Sequence, residues 1–129
     1  MRGVRPRGRT LPKRRVRYDT LWRLALALPG VEEGTSYGTP AFKVGGKLLA
    51  RLREDGESLV VRIGFLEREL LMKADPETFY ITDHYLNYPA VLVRLSKVRA
   101  AKLGEVLEQA WRQAAPKRLL ALAGEARRP

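Results

Sequence analysis

The stretch that decides the fold runs from Val31 to Gly64, VEEGTSYGTPAFKVGGKLLARLREDGESLVVRIG. Apolar and polar side chains alternate along it with a period of two, and Gly, Pro and Asp break it into short runs. This pattern predicts strands over residues 33–37, 41–44, 47–53 and 58–63. Gly45-Gly46 is a two-residue turn signal and Asp55-Gly56 another, so the strands are expected to pair as antiparallel hairpins.

Before this stretch, Leu21, Trp22, Leu24, Ala25, Leu26 and Leu28 read as a helix, capped by Asp19 or Thr20 and ended by Pro29-Gly30. The helix is apolar almost all round, so cover on both sides is expected. After Gly64, residues 65–74 read as a short helix with Leu66, Leu70 and Met72 facing inward. Residues 79–82 are a fifth strand or an edge, and residues 89–95, with β-branched Val91 and Val93, are another strand. Residues 99–114 place Leu103, Val106, Leu107, Ala110 and Trp111 at helical spacing. Pro116 opens a last helix over 117–123, stopped by Gly124. The fold class is α+β, a twisted antiparallel β-sheet packed by helices in a single domain over 18–124, with a flexible tail at 125–129. A chain of 129 residues suits one such core.

The charges divide into two sets. Residues 1–17 hold eight of the 25 Lys and Arg and no Asp or Glu, which leaves 17 basic against 14 acidic side chains in the remainder. This arm is too polar and too rich in Gly and Pro to order itself, and is expected to be disordered. It reads either as a nucleic-acid arm, in which Arg14 and Arg15 contact phosphates, or as a solvated tail. The second set lies on the strands. Lys47, Arg51 and Arg53 alternate with Leu48, Ala50 and Leu52; Lys43, Arg62 and Arg94 likewise stand opposite apolar neighbours. If the strands adjoin, these six make a basic stripe suited to phosphate contacts. The simpler reading is an ordinary amphipathic sheet, and Leu49, Val60 and Leu92 on the same faces point to partial cover.

Composition removes several chemistries. Cysteine is absent, which excludes disulfides, thiolate metal sites and a cysteine nucleophile. His84 is the only histidine, so a multi-histidine metal site is excluded, and no GxSxG, P-loop, GxGxxG or HExxH motif occurs. No apolar run reaches the length of about 18 residues that a membrane span needs. The expectation is a soluble, cytoplasmic protein with no membrane partner. Around His84, the aromatics Phe79, Tyr80, Tyr85 and Tyr88 suit either a stacking pocket or plain core packing.

Four ordered blocks, LALPGVEEGTSYGTPAFKVGGKLLARL, ERELLMKADPETFYITDHY, YPAVLVRL and AWRQAAPKRL, resemble the MmcQ/YjbR family over about residues 18–122. The resemblance implies an α+β domain of the frataxin and secretion-chaperone type. Members are commonly named DNA-binding because their projecting hairpins look like a double wing, and no catalytic residues or cofactor come with the name. Gly38, Pro40, Phe42 and Lys47 match the family's Gly-x-Pro-x-Phe and following Lys, while His84 and Asn87 match its histidine-containing loop. Many members continue that loop with a basic residue and a His-Trp pair, where this chain has Tyr88-Pro89-Ala90. The arm has no counterpart in the family. Iron binding of the frataxin kind is unsupported, because hard cations want clustered carboxylates and these faces are basic.

The reading that results is a non-enzymatic DNA-binding domain contacting phosphates through Arg14, Arg15, Lys43, Lys47, Arg51, Arg53, Arg62 and Arg94. The alternative is a protein-interaction module of secretion-chaperone-like shape, holding a protein partner by a sheet face or the Trp111 helix. A third is an enzyme with a pocket at His84, Tyr85 and Asn87. Neither metal nor cofactor is expected.

Overall fold

The structure, a computed structural model, describes residues 16–127, with side chains through residue 122. Arg14, Arg15 and the rest of the expected arm through residue 15 lie outside the described residues, as do residues 128–129.

Six antiparallel strands form one sheet: β1 (Val31–Ser36), β2 (Thr39–Val44), β3 (Lys47–Leu52), β4 (Ser58–Arg62), β5 (Phe79–Tyr80) and β6 (Ala90–Arg94). Their order across the sheet is β1-β2-β3-β4-β6-β5. The first four follow chain order because each connection is too short to cross over. Tyr37-Gly38 and Gly45-Gly46 take positive φ at both turn residues, which gives tight hairpins whose twist matches the strands. The third connection is longer than the Asp55-Gly56 signal implied. Arg53 donates its amide to the Ser58 carbonyl at 2.8 Å, and Asp55 closes the loop by accepting from the amides of Glu57 (2.8 Å) and Ser58 (3.0 Å).

Helices α1 (Tyr18–Leu26), α2 (Phe65–Ala74), α3 (Ala100–Ala114) and α4 (Lys117–Arg127) complete the fold. The main core joins Phe42, Val44, Ala50, Leu59, Val61, Val91 and Val93 of the sheet to Leu103, Val106, Leu107, Ala110 and Trp111 of α3, and to Leu21 and Ala25 of α1. Trp111 is 1% exposed, and its Nε1 donates to the Pro29 carbonyl at 2.8 Å, tying α3 to the turn after α1. On the opposite, outer face a smaller cluster of Val60, Ala90, Leu92 and Tyr85 packs with Tyr80 and Ile81. β4 and β6 are therefore covered on both faces, which explains their unbroken apolar runs.

Several expectations are corrected. Val16, placed in the arm by its sequence, is fully buried and donates its amide to the Leu95 carbonyl at 3.1 Å. That tether sets the start of α1, so Arg17 occupies the N-cap in place of Asp19 or Thr20. α1 is covered on one side only: Leu21 and Ala25 are buried, but Trp22 is exposed and donates Nε1 to Glu33 at 2.8 Å. On α2, Leu66 and Leu70 face solvent, and Leu71 and Arg68 take the inward face. α4 continues through Gly124 to Arg127, since a lone glycine weakens a helix without ending it.

Candidate functional site

Strand register places the basic residues. Arg51, Val60, Leu92 and Tyr80 form one cross-sheet row; Arg94 pairs with Ser58 and Arg62 with Ala90 on either side of it. Arg51, Arg62 and Arg94 therefore share the outer face, as the alternation implied, and surround the small outer cluster. Lys43 joins them, exposed, at the β2 end of the face. Lys47 does not. A bulge puts Leu49 out of register between Phe42-Ala50 and Lys43-Leu48, so Leu49 and Ala50 both enter the core and alternation reverses beyond them. Leu48 moves to the outer face, and Lys47 pairs with the core residue Val44 at the strand end. Arg53 lies past β3 in the loop, half-buried.

The outer face is not an open phosphate stripe, because each arginine lies against a tyrosine. Arg94 stacks on Tyr80 at 3.9 Å from the ring centroid and donates Nη1 to the Glu77 carbonyl at 2.8 Å. Arg62 lies over Tyr88 at 5.4 Å, and Arg51 over Tyr37 at 5.1 Å. Among the described residues neither Arg62 nor Arg94 has a carboxylate within 4.0 Å. Tyr85, on the 3₁₀ turn Asp83–Tyr85, covers the centre of the face, and all four arginines of the expected stripe, Arg53 included, are half-buried.

Beside Tyr85 the covering segment leaves a cleft of about 360 Å³, lined by Tyr37, Leu48, Arg51, Glu54, Val60, His84, Tyr85 and Tyr88. His84 meets Tyr85 edge to face at 4.8 Å, and Tyr88 leans on Tyr85 at 6.1 Å. Arg51 is the cleft's cation, with a side chain only 11% exposed. Of the expected pocket residues, His84 and Tyr85 line the cleft, while Asn87 is exposed outside its lining. Tyr37 was not expected there. The signal was a Tyr-Gly pair between two strands, which sets an aromatic side chain at a hairpin tip. Its φ of 55° is a left-handed conformation that costs a bulky residue about 1–3 kcal/mol.

Arg68 holds the segment from behind. Although 3% exposed, it has no carboxylate among the described residues within 4.0 Å. Its Nη1 donates to the carbonyls of Tyr85 (2.8 Å), Tyr88 (2.9 Å) and Ala90 (3.1 Å), and Nη2 to that of Leu86 (3.0 Å). One guanidinium thus fixes the loop that carries the aromatic wall and adds a positive charge beneath it. A larger groove, about 500 Å³, runs between α2 and α3, and four of its five charged side chains pair with each other: Arg112 binds Glu108 at 2.8 Å and Lys102 faces Glu105 at 3.5 Å, with Glu67 as the fifth. Among the described residues no three of His, Cys, Asp and Glu gather where a metal ion would sit. No described helix is long and apolar enough to cross a membrane.

The model of the YjbR family matches residues 26–113. Two proteins named only as uncharacterized, Rv2570 of Mycobacterium tuberculosis and Mb2600 of Mycobacterium bovis, are each 40% identical over 50 residues, a match covering 39% of this chain and 39% of theirs. A crystal structure of Deinococcus radiodurans protein DR2400, of the DUF419 domain type, is similar with a TM-score of 0.63 and 25% identity, over 78% of both chains.

Proposed function

The chain belongs to the YjbR family, and from that premise we propose that it is a non-enzymatic cytoplasmic protein whose outer sheet face binds single-stranded nucleic acid. The observation that carries this reading is the set of three arginines, Arg51, Arg62 and Arg94, each laid against a tyrosine on one sheet face. A duplex keeps its bases stacked inside and offers phosphates, which call for cations that project. Rings backed by guanidinium groups instead offer flat surfaces on which unpaired bases stack. Tyr37, 84% exposed, and Tyr88, 38% exposed, are the rings open to a base. Lys43, Arg53 and Arg62 flank them as phosphate contacts, and Arg14 and Arg15 extend the same attraction.

The test is affinity of the full chain for a mixed-sequence single strand and for its duplex across a salt series. The single strand should bind more tightly, with a log-affinity slope of about 0.7 per neutralised phosphate. A flat salt response for both would sink the nucleic-acid reading, and a preference for duplex would sink the stacking part of it. A second reading, the protein-interaction module, rests on α2, where Phe65, Leu66 and Leu70 stand exposed. Leu66→Ser with Leu70→Ser should leave strand binding unchanged if the first reading holds.

A further inference from the structure

The cleft beside Tyr85 is more specific than a stacking platform. Arg51 is almost withdrawn from water, yet its polar neighbours are all distant. Nη1 lies 3.4 Å from Thr39 Oγ1 and 3.5 Å from the Leu52 carbonyl, Nη2 lies 3.4 Å from Tyr85 Oη, and the Glu54 carboxylate is 4.0 Å away. The two Nη groups of Arg68, also buried, make four bonds of 2.8–3.1 Å, each shorter than any that Arg51 makes. Guanidinium bonds to good acceptors are shorter than those Arg51 makes, so its donors are poorly repaid for lost hydration. Poorly satisfied donors in a concave, mostly apolar site mark a place for an acceptor that arrives with a ligand.

The cleft's shape and chemistry restrict that ligand. Tyr37, His84, Tyr85 and Tyr88 supply flat aromatic walls and Leu48 and Val60 apolar ones. A tetrahedral phosphate has no use for such walls and would meet the nearby Glu54 carboxylate. A planar heterocycle suits them. The fork of Arg51 asks for two adjacent acceptors on its edge, and Glu54, exposed beside it, asks for donors next to those acceptors. Guanine has both, with N7 and O6 as acceptors followed by the N1 and N2 hydrogens. Adenine and thymine alternate donors and acceptors along their edges. Cytosine has an acceptor pair but only one donor group.

We infer that the cleft of Tyr37, Arg51, Glu54 and Tyr85 receives a single unstacked guanine, with Arg51 reading its O6/N7 edge. The inference rests on the proposed single-strand binding and assigns its base preference. Tyr37 acts here as the wall that presses on Arg51 at 5.1 Å, which gives its unfavourable backbone conformation a role.

The experiment uses the full chain and three strands identical except at one central position, which carries guanine, adenine or 7-deazaguanine. The guanine strand should bind about 5- to 100-fold more tightly than the adenine strand, the discrimination expected of one bidentate contact. Replacing N7 by carbon should remove most of that gain. Arg51→Lys keeps the charge and loses the fork, so it should bring the ratio of guanine-strand to adenine-strand affinity close to one. Equal binding of guanine and adenine strands overturns the guanine assignment and leaves strand binding standing. Absence of binding to all three at low salt overturns the reading beneath it as well. If Arg51→Lys proves unstable, the 7-deazaguanine strand on the unaltered protein decides alone: undiminished affinity for it overturns the role of Arg51.

Discussion

Arg51 and Arg68 have the same side chain, but their Nη groups meet different partners. Those of Arg68 donate to four loop carbonyls at 2.8–3.1 Å, whereas those of Arg51 make only long bonds of 3.4–3.5 Å beside a cleft. A lysine has the charge of Arg68 but cannot span carbonyls on Tyr85, Leu86, Tyr88 and Ala90. Arg68→Lys should therefore leave buried carbonyls without donors and destabilise by roughly 2–3 kcal/mol. The backbone amides of residues 81–88 should exchange faster, and base binding at the cleft should weaken as its wall loosens. Unchanged exchange in that segment would show that the loop holds itself. Arg68 was not legible in the sequence, because the weakly patterned helix FLERELLMKA accepts either Leu66-Leu70 or Arg68-Leu71 as its inner face. Only what lay across from it, a row of loop carbonyls, decided.

Among the elements, α3 and β3 show the two extremes of legibility. Residues 103, 106, 107, 110 and 111 of α3 repeat at helical spacing and all are buried. Trp111 fills the centre of that face, so Trp111→Ala should cost about 3–5 kcal/mol. At about 4–8 °C per kcal/mol for a domain near 100 residues, thermal melting should shift down by well over 10 °C. Trp111→Phe, which keeps most of the volume and loses the bond to Pro29, should cost less. A melting temperature for the alanine variant within a few degrees of the parent would contradict the burial. β3 reads in sequence as a regular strand, and half of its side chains were assigned correctly. The bulge at Leu49 adds one residue and swaps the faces of Leu48 and Lys47. Alternation alone does not reveal a bulge here, since Leu48, Leu49 and Ala50 are all apolar.

At the scale of the molecule, one exposed cluster joins the first helix to the edge of the sheet. Tyr18 and Trp22 both donate to the Glu33 carboxylate, across α1 and β1. Burial, then the bond to Glu33 and its charge, push the Tyr18 hydroxyl up to about 12. Bonds from Tyr18 and Trp22 hold Glu33 below the usual carboxylate range. At Asp55, partial burial opposes ionisation, but bonds from Glu57 and Ser58 and the charge of Arg53 outweigh it and hold the carboxyl low. The signs set a window. A lowered carboxylate stabilises the fold above its unfolded value of about 4 and loses that contribution as pH falls through its folded value. A raised tyrosine contributes fully below about 10 and loses it as pH climbs through about 12. Stability should therefore hold between about pH 5 and 10 and decline on both sides, with Tyr18→Phe losing its share of the alkaline decline. Melting temperatures across pH check this; a decline between pH 7 and 9 in the parent, absent in Tyr18→Phe, would contradict the raised tyrosine.

Local periodicity, turn residues and composition were enough to determine the α+β class, the antiparallel hairpins, the buried face of α3 and which elements carry positive charge. Each of those depends on neighbours a few residues apart in the chain, where spacing alone dictates which side of an element a residue occupies. Tertiary structure decided what the charges face. That Arg51, Arg62 and Arg94 lie under tyrosines from other elements, that Lys47 leaves their face, and that Arg68 supports the cleft wall all depend on contacts between residues distant in sequence. An alternating pattern assigns a side chain to a face, but cannot say whether that face meets water or another segment of the same chain.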